Sequence, residues 1–176
     1  MEREKVLVPE AELFRQRDFE KKIKELFAAR QAHPRACVDT FGCQQNVADG
    51  QKLMGMLEAS GFTITDNPKE ADVVILNTCA VREHAEDRVF GNLGALSHLK
   101  KDNPELVLAL CGSMAQEERV SARIKKSYPY VNLVFGPHAL WKFPELLWQV
   151  YESRKRVFSV ADEHGTISEG IPVVRE

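Results

Sequence analysis

The sequence predicts an α/β fold, in which helices cover both faces of a mostly parallel sheet. Two continuous apolar runs, at 73–77 and 106–110, are typical of strands that are buried on both faces. Segments with helical periodicity alternate with strand patterns between residues 36 and 154. Such an alternation favours parallel strands joined by crossover helices, so a single sheet between two helical layers is expected.

Each element follows from its local pattern. Residues 11–30 repeat apolar side chains at helical spacing and predict an amphipathic N-terminal helix, and Pro34 interrupts the helical pattern after it. Beyond this proline the patterns predict strands at 36–41, 62–65, 73–77, 106–110 and 131–135, and helices at 44–60, 81–101, 115–127 and 138–154. The second and third strands are so close in sequence that a parallel crossover has room for one helical turn; otherwise the short strand is antiparallel or displaced.

We therefore expect a helical extension at 1–35, an α/β domain at 36–154 and a linker at 155–176, where no periodicity is sustained. The domain is expected to be flavodoxin- or Rossmann-like, with about five strands in the common order 2-1-3-4-5. In this order the first, third and fourth strands are neighbours.

The overall charge limits which partners the whole chain attracts, although it is compatible with a local basic patch. Lys and Arg number 24 against 26 Asp and Glu, so a net charge of −2 gives no strong overall attraction to nucleic acid or membrane. No apolar stretch is long enough to span a bilayer, and the charged N-terminus lacks the apolar core of a secretory signal. These features predict a cytoplasmic protein without a membrane partner.

The four cysteines are the residues with the clearest potential for chemistry. Structural disulfides are not expected in a reducing compartment, so metal binding or catalysis is the better interpretation. Cys43, Cys79 and Cys111 each follow a predicted strand and precede a predicted helix, which would bring them to one edge of the sheet within about 10 Å. Cys37 lies inside the first strand and is interpreted as a buried core thiol.

The residues alone leave open what these thiols hold. Three thiolates without an evident fourth ligand suit a cubane iron–sulfur cluster with one open iron. Zinc is an alternative with His84 as fourth ligand, although the usual C-x-x-C pair is absent. A redox-sensing thiol domain, or a non-catalytic flavodoxin-like binding module with core cysteines, is a further alternative.

The stretches "TFGCQQN", "ADVVILNTCAVRE" and "CGSMAQE" resemble the N-terminal domain of radical-SAM methylthiotransferases over residues 36–155. This resemblance implies that Cys43, Cys79 and Cys111 hold an auxiliary 4Fe–4S cluster. The residues of these motifs are similar to those of one branch of the family. That branch adds a methylthio group to C-2 of isopentenyl- (dimethylallyl-) adenosine next to the anticodon of tRNA. Gln45 differs from the methionine usual in that branch, and Ser113 stands where a further cysteine is common.

The resemblance also implies a division of labour within a longer protein. A radical-SAM domain with a second 4Fe–4S cluster and S-adenosylmethionine would activate the C–H bond, and the cluster of this domain would deliver sulfur. The C-x-x-x-C-x-x-C motif of that domain is absent, and no cysteine follows Cys111. The radical-SAM and C-terminal RNA-binding domains are therefore expected elsewhere. This chain alone is expected to be an inactive monomer. Binding of the tRNA partner is expected to require the full-length protein.

No catalytic residue is assigned within the chain itself. Gln44, Asn77 and Thr78 lie next to the cysteines in sequence, and we predict that they donate hydrogen bonds around the cluster.

Overall fold

The computed structural model describes residues 8–42, 44–79 and 85–160. The strands are β1 (Arg35–Thr40), β2 (Thr63–Ile64), β3 (Val73–Thr78), β4 (Val107–Gly112), β5 (Leu133–Phe135) and β6 (Val157–Ser159). The helices are α1 (Glu10–Ala29), α2 (Gln44–Ala59), α3 (Ala85–Asp102), α4 (Glu118–Ser127) and α5 (Phe143–Ser153), and two 3-10 segments lie at Pro68–Glu70 and Pro137–Lys142.

All the strands belong to one parallel sheet in the order β2-β1-β3-β4-β5-β6. The predicted α/β class and the predicted order of the first five strands are therefore confirmed. The short connection between β2 and β3 is a parallel crossover that contains the 3-10 turn Pro68–Glu70. The alternative of an antiparallel or displaced strand is therefore wrong.

The sheet has a sixth strand that the sequence analysis did not predict. β6 pairs with β5 and lies at the beginning of the segment 155–176 that was interpreted as a linker. The Arg156 guanidinium, directly before β6, donates to main-chain carbonyls at the end of α4 and in the loop after it: those of Ile124, Lys125, Tyr128 and Val131. Tertiary contacts thus hold this strand in the sheet, while the division into three domains otherwise stays a prediction.

Side chains alternate between two hydrophobic cores on the two faces of the sheet. Ile75 and Ala109 point into the first core, which α1, α2 and α5 cover. Val74 and Leu108 point into the second core, which α3 and α4 cover. Every residue of β3 and β4 is buried, as the continuous apolar runs predicted.

The N-terminal helix α1 packs on α5 and contributes Ile23 and Phe27 to the first core. The Gln16 side chain accepts a hydrogen bond from the Glu145 main-chain N–H (3.1 Å) and donates one to Glu145 Oε1 (3.0 Å). The first turn of a helix has N–H groups without intrahelical acceptors. Gln16 of α1 therefore caps α5 from outside that helix.

Two predicted helices differ from the structure at their starts. The segment 138–154 begins as the 3-10 helix Pro137–Lys142, and α5 starts only at Phe143, so that Pro144 occupies its first turn, where a missing N–H costs little. The predicted helix at 115–127 begins at Glu118, because turns occupy 113–117. In the part of the chain that the structure describes, no helix is long and apolar enough to cross a membrane.

Candidate metal centre

Three chain segments converge at the carboxyl end of β3. Gly42, which precedes Cys43, has a φ of +123° and lies so close to Cys79 that a side chain at residue 42 would overlap the Cys79 Cβ atom. Gly112, which follows Cys111, has a φ of +99° and lies against the main chain of Thr78. Glycine adopts positive φ easily and has no Cβ. The two loops therefore approach β3 more closely than other residues would allow.

A buried hydrogen-bond network joins the same segments. Asn46 Nδ2 donates to the Thr78 carbonyl (2.8 Å), and Thr78 Oγ1 donates to the Cys111 carbonyl (2.6 Å). The Cys111 Sγ donates to Asn77 Oδ1 at 3.6 Å. This network links the first turn of α2 to the ends of β3 and β4.

Sheet register places the polar members of this site on one face. Thr40, Asn77 and Cys111 are paired across β1, β3 and β4, so their side chains point to the face that α2 covers. A Cβ atom at Gly50 would lie only 2.7 Å from Thr40 Oγ1. The glycine at residue 50 therefore lets the first half of α2 come close to this edge of the sheet.

The two predicted ligands in the described chain are both buried at this edge. Cys79 follows β3 directly and is 6% exposed, whereas Cys111 is 1% exposed. Cys111 lies at the carboxyl end of its strand, as expected, but the expectation that it follows the strand and directly precedes a helix is wrong. It is the penultimate residue of β4, because the strand continues to Gly112, and α4 starts only at Glu118. A helix N-terminus therefore does not stabilise a thiolate at Cys111.

Burial has an electrostatic consequence for Cys111. Desolvation raises the pKa of its thiol well above the ordinary value, and the negative charge of Asp49 adds to this rise. The thiol is therefore neutral in the metal-free protein. Metal binding at this sulfur requires the loss of its proton.

The other residues considered in the sequence analysis have different positions. Cys37 lies in β1 and is buried on the opposite face, as expected for a core thiol. Cys43 and His84 lie outside the described residues. Within the ranges that are described, no group of three or more His, Cys, Asp or Glu side chains could hold a metal ion.

Of the predicted hydrogen-bonding neighbours, Asn77 and Thr78 lie in the buried network and Gln44 does not contribute to it. Gln44 is the first residue of α2 and is exposed. Asn46, which the sequence analysis missed, is 5% exposed and takes part in the network instead. Its signal in the sequence is its position four residues before Gly50, which places both residues on the side of α2 that faces the sheet.

The donor set fits a soft metal centre. The sulfurs of Cys79 and Cys111 are soft ligands. Such ligands bind zinc and iron–sulfur clusters in preference to hard cations. Buried amide and hydroxyl groups next to these sulfurs are the kind of neighbours that orient metal ligands.

The parallel sheet and the buried thiols at its carboxyl edge define this chain as a flavodoxin-like α/β domain with a candidate metal site. The chain belongs to the family described as Uncharacterized protein family UPF0004, whose model matches residues 35–136. This family is the N-terminal domain of methylthiotransferases. The matched range starts at β1 and ends directly after β5, and it includes the three cysteines of the predicted site.

Curated relatives carry the name tRNA-2-methylthio-N(6)-dimethylallyladenosine synthase. The protein of Acetivibrio thermocellus is 44% identical over 179 residues, which cover 99% of this chain and 37% of the relative. The protein of Caldicellulosiruptor saccharolyticus is 48% identical over 136 residues (77% and 29%), and that of Clostridium perfringens is 46% identical over 140 residues (80% and 31%). The chain thus spans between 29% and 37% of the length of these relatives.

Proposed function

We propose that this chain is the cluster-binding domain of a tRNA methylthiotransferase. The whole enzyme would add a methylthio group to C-2 of isopentenyl- (dimethylallyl-) adenosine next to the anticodon. The names of the relatives support the reaction and its tRNA substrate. Membership of the family supports the place of this domain at the N-terminus of such an enzyme.

The observation that carries the proposal is the convergence at the end of β3. Gly42, the residue before Cys43, lies against Cys79, and Asn77 contacts the Cys111 sulfur. Segments that are more than thirty residues apart in sequence thereby meet at one edge of the sheet. Open parallel sheets place their ligand sites at this edge.

Cys43, Cys79 and Cys111 are the residues that would hold the cluster. When bound, a 4Fe–4S cluster on three thiolates would supply an open iron position for the sulfur that is transferred. Asn77 and Thr78 would orient the Cys111 side of the site, and the core around Cys111 would exclude water from it. No residue of this chain is assigned a role in breaking the C–H bond.

The remaining parts of the reaction would lie outside this chain. A second 4Fe–4S cluster and S-adenosylmethionine would bind to a radical-SAM domain, and an RNA-binding domain would add contacts to tRNA. The length of the relatives leaves room for such domains. We further propose that the protein acts as a monomer in the cytoplasm.

Anaerobic reconstitution of the 176-residue chain with iron and sulfide tests cluster binding. We expect a brown protein with about four irons and four sulfides per chain. Cys43→Ala, Cys79→Ala and Cys111→Ala should each prevent the full cluster, and Cys37→Ala should retain it. A chain that instead purifies with zinc, or that takes up no metal, contradicts the proposal.

The transferase reaction is tested in a chimera. This chain replaces the corresponding N-terminal part of the Clostridium perfringens relative, and mass spectrometry of cellular tRNA measures the methylthio group. We expect modification by the chimera and none after Cys79→Ala. A chimera that contains both clusters but leaves tRNA unmodified argues against the assigned reaction.

A further inference from the structure

We propose that Asn46 and Asn77 form a positioning pair that fixes the segments bearing the three cysteines relative to one another before a cluster binds. The inference rests on the proposed function, because it assigns these amides a role toward the cluster. It concerns residues that neither bind metal nor react.

The two residues are joined by two hydrogen bonds, one in each direction. Asn77 Nδ2 donates to the Asn46 main-chain carbonyl (2.7 Å), and Asn46 Nδ2 donates to Asn77 Oδ1 (3.3 Å). Asn77 is 1% exposed and Asn46 is 5% exposed. Removal of the Asn77 amide breaks both bonds of the pair, and removal of the Asn46 amide breaks the bond to Asn77 Oδ1 and the bond to the Thr78 carbonyl. Loss of such buried hydrogen bonds is more costly than loss of an exposed one.

The pair reaches all three segments of the site. Asn46 is three residues beyond Cys43, and Asn77 is two residues before Cys79. Asn77 Oδ1 also accepts from the Cys111 sulfur, and Asn46 Nδ2 donates to the carbonyl of Thr78, directly before Cys79. A displacement of one segment relative to another therefore breaks at least one of these bonds.

Among the buried residues of α2, the polar side chain lies in the part of the helix that faces the site. Farther along the same side of the helix, Leu53 and Leu57 are fully buried in the first core. Apolar side chains would also be the cheaper way to fill the buried position of Asn46, because a buried amide must find partners. Hydrogen bonds are directional whereas apolar contacts are not. The amides therefore provide a defined geometry, which an apolar side chain would not.

The experiment compares Asn46→Ala and Asn77→Ala, singly and together, with the unchanged chain. Asn92→Ala is the matched control, since its amide bonds only to the Arg88 carbonyl of its own helix α3. Each reconstituted protein is exposed anaerobically to an iron chelator, and the rate of iron release and the reduction potential of the cluster are measured. The thermal unfolding of the metal-free chains is measured in parallel.

We expect each single variant to release iron about 10-fold faster than the unchanged chain, since groups that orient metal ligands typically have effects of this size. The potential should shift in both variants, and the double variant should lose little more than either single one, because the two amides act as a unit. Asn92→Ala should match the unchanged chain. If an alanine variant fails to fold, Asn46→Gln replaces it, since glutamine keeps the amide but moves it along the side chain.

Other outcomes overturn the inference. Variants with a lowered unfolding temperature but unchanged iron release and potential would show that the pair only stabilises the fold. Variants that match the unchanged chain in every measurement would exclude any role. An unchanged chain that takes up no cluster would overturn the proposed function and this inference together, so the two failures are distinguishable.

Discussion

Cys37 and Cys111 are both buried in the same sheet, with exposed fractions of 6% and 1%, but their surroundings differ. Cys37 lies within β1 and packs in the second core, with Val74 and Leu76 of the neighbouring strand. Cys111 lies at the carboxyl end of β4 and donates from its sulfur to Asn77. A glycine with positive φ follows it at residue 112.

This comparison shows that burial does not identify a ligand thiol. The region around Cys111 concentrates polar side chains and close glycine contacts, which a packed core does not need. The region around Cys37 is the ordinary alternation of an α/β sheet. Changes at Gly112, Gln16, Cys37 and Lys100 test this contrast.

Gly112→Ala should have the largest effect, because it acts on the Cys111 region. A Cβ atom at this residue would overlap the main chain of Thr78, and its φ of +99° is unfavourable for alanine. We expect the free energy of unfolding to fall by at least about 2 kcal/mol. We also expect the reconstituted variant to bind little iron. Urea denaturation of the metal-free chain and iron analysis after reconstitution measure both.

Gly91→Ala is the matched control for this change. Gly91 lies in α3, on the face of the sheet that holds Cys37, and nothing is within 4 Å of the added carbon. We expect a gain of about 0.5–1 kcal/mol, because alanine is the better helix former. Equal stability of the two variants would remove the distinction between the regions.

Gln16→Ala should lower stability away from both thiols. The change removes the cap of α5 and leaves the Glu145 N–H without its acceptor, so we expect a loss of about 2 kcal/mol. The iron content at temperatures well below unfolding should be unchanged. Gln51→Ala, at an exposed position of α2, should stay within about 0.5 kcal/mol of the unchanged chain. Loss of iron in Gln16→Ala would mean that general destabilisation releases the cluster.

Cys37→Ala tests the comparison directly. Loss of one buried sulfur atom from the second core should cost about 1 kcal/mol, and the full cluster should form. Cys111→Ala should form no full cluster at a similar cost to the metal-free chain. Iron and sulfide analysis of both variants tests which thiol is a ligand. Equal loss of the cluster in both variants would indicate that Cys37 is a ligand too.

The smallest expected effect is a pH dependence from Lys100, on the Cys37 side of the sheet. Its Nζ donates to the Tyr130 carbonyl (2.9 Å), and burial, with a smaller contribution from Arg156, lowers its pKa from 10.5 to about 8. The unfolded chain therefore binds more protons at this position between pH 8 and 10.5, so its contribution to stability rises with pH in that window. Solvent screening keeps the change below about 1 kcal/mol.

Lys100→Met supplies the reference for that measurement. The difference in the free energy of unfolding between the unchanged chain and the variant should increase from pH 8 to 10.5 in favour of the unchanged chain. A flat or falling difference would show that the ammonium group is well solvated in the folded state.

The sequence predicts the central strands well because their signal is local. Every residue of β3 and β4 is apolar or small up to the polar ends, and both strands were predicted within two residues of their bounds. β6 has no comparable signal, since its three residues become a strand only through β5 and the anchoring of Arg156. Such a strand depends on tertiary contacts that local patterns do not contain.

The same distinction applies to the site. Cysteine order and strand order suffice to predict that Cys79 and Cys111 lie near one edge of the sheet. The role of Asn46 depends on how closely α2 approaches that edge. The spacing from Asn46 to Gly50 indicates which side of α2 faces the sheet, but the closeness of the approach depends on tertiary packing. Gln44, nearer to Cys43 in sequence, is exposed because helical periodicity turns it away from the sheet.

The direction of β6 determines where the chain leaves the sheet. Since this strand is parallel to all others, Ser159 lies level with Phe135 and thus with Cys111. Residue 160 consequently departs from the same rim of the molecule as the two thiols. An antiparallel strand would have sent it toward the opposite rim, roughly 20 Å away for a strand of six residues. Val160, the last residue described, therefore lies at the rim of the sheet that holds Cys79 and Cys111.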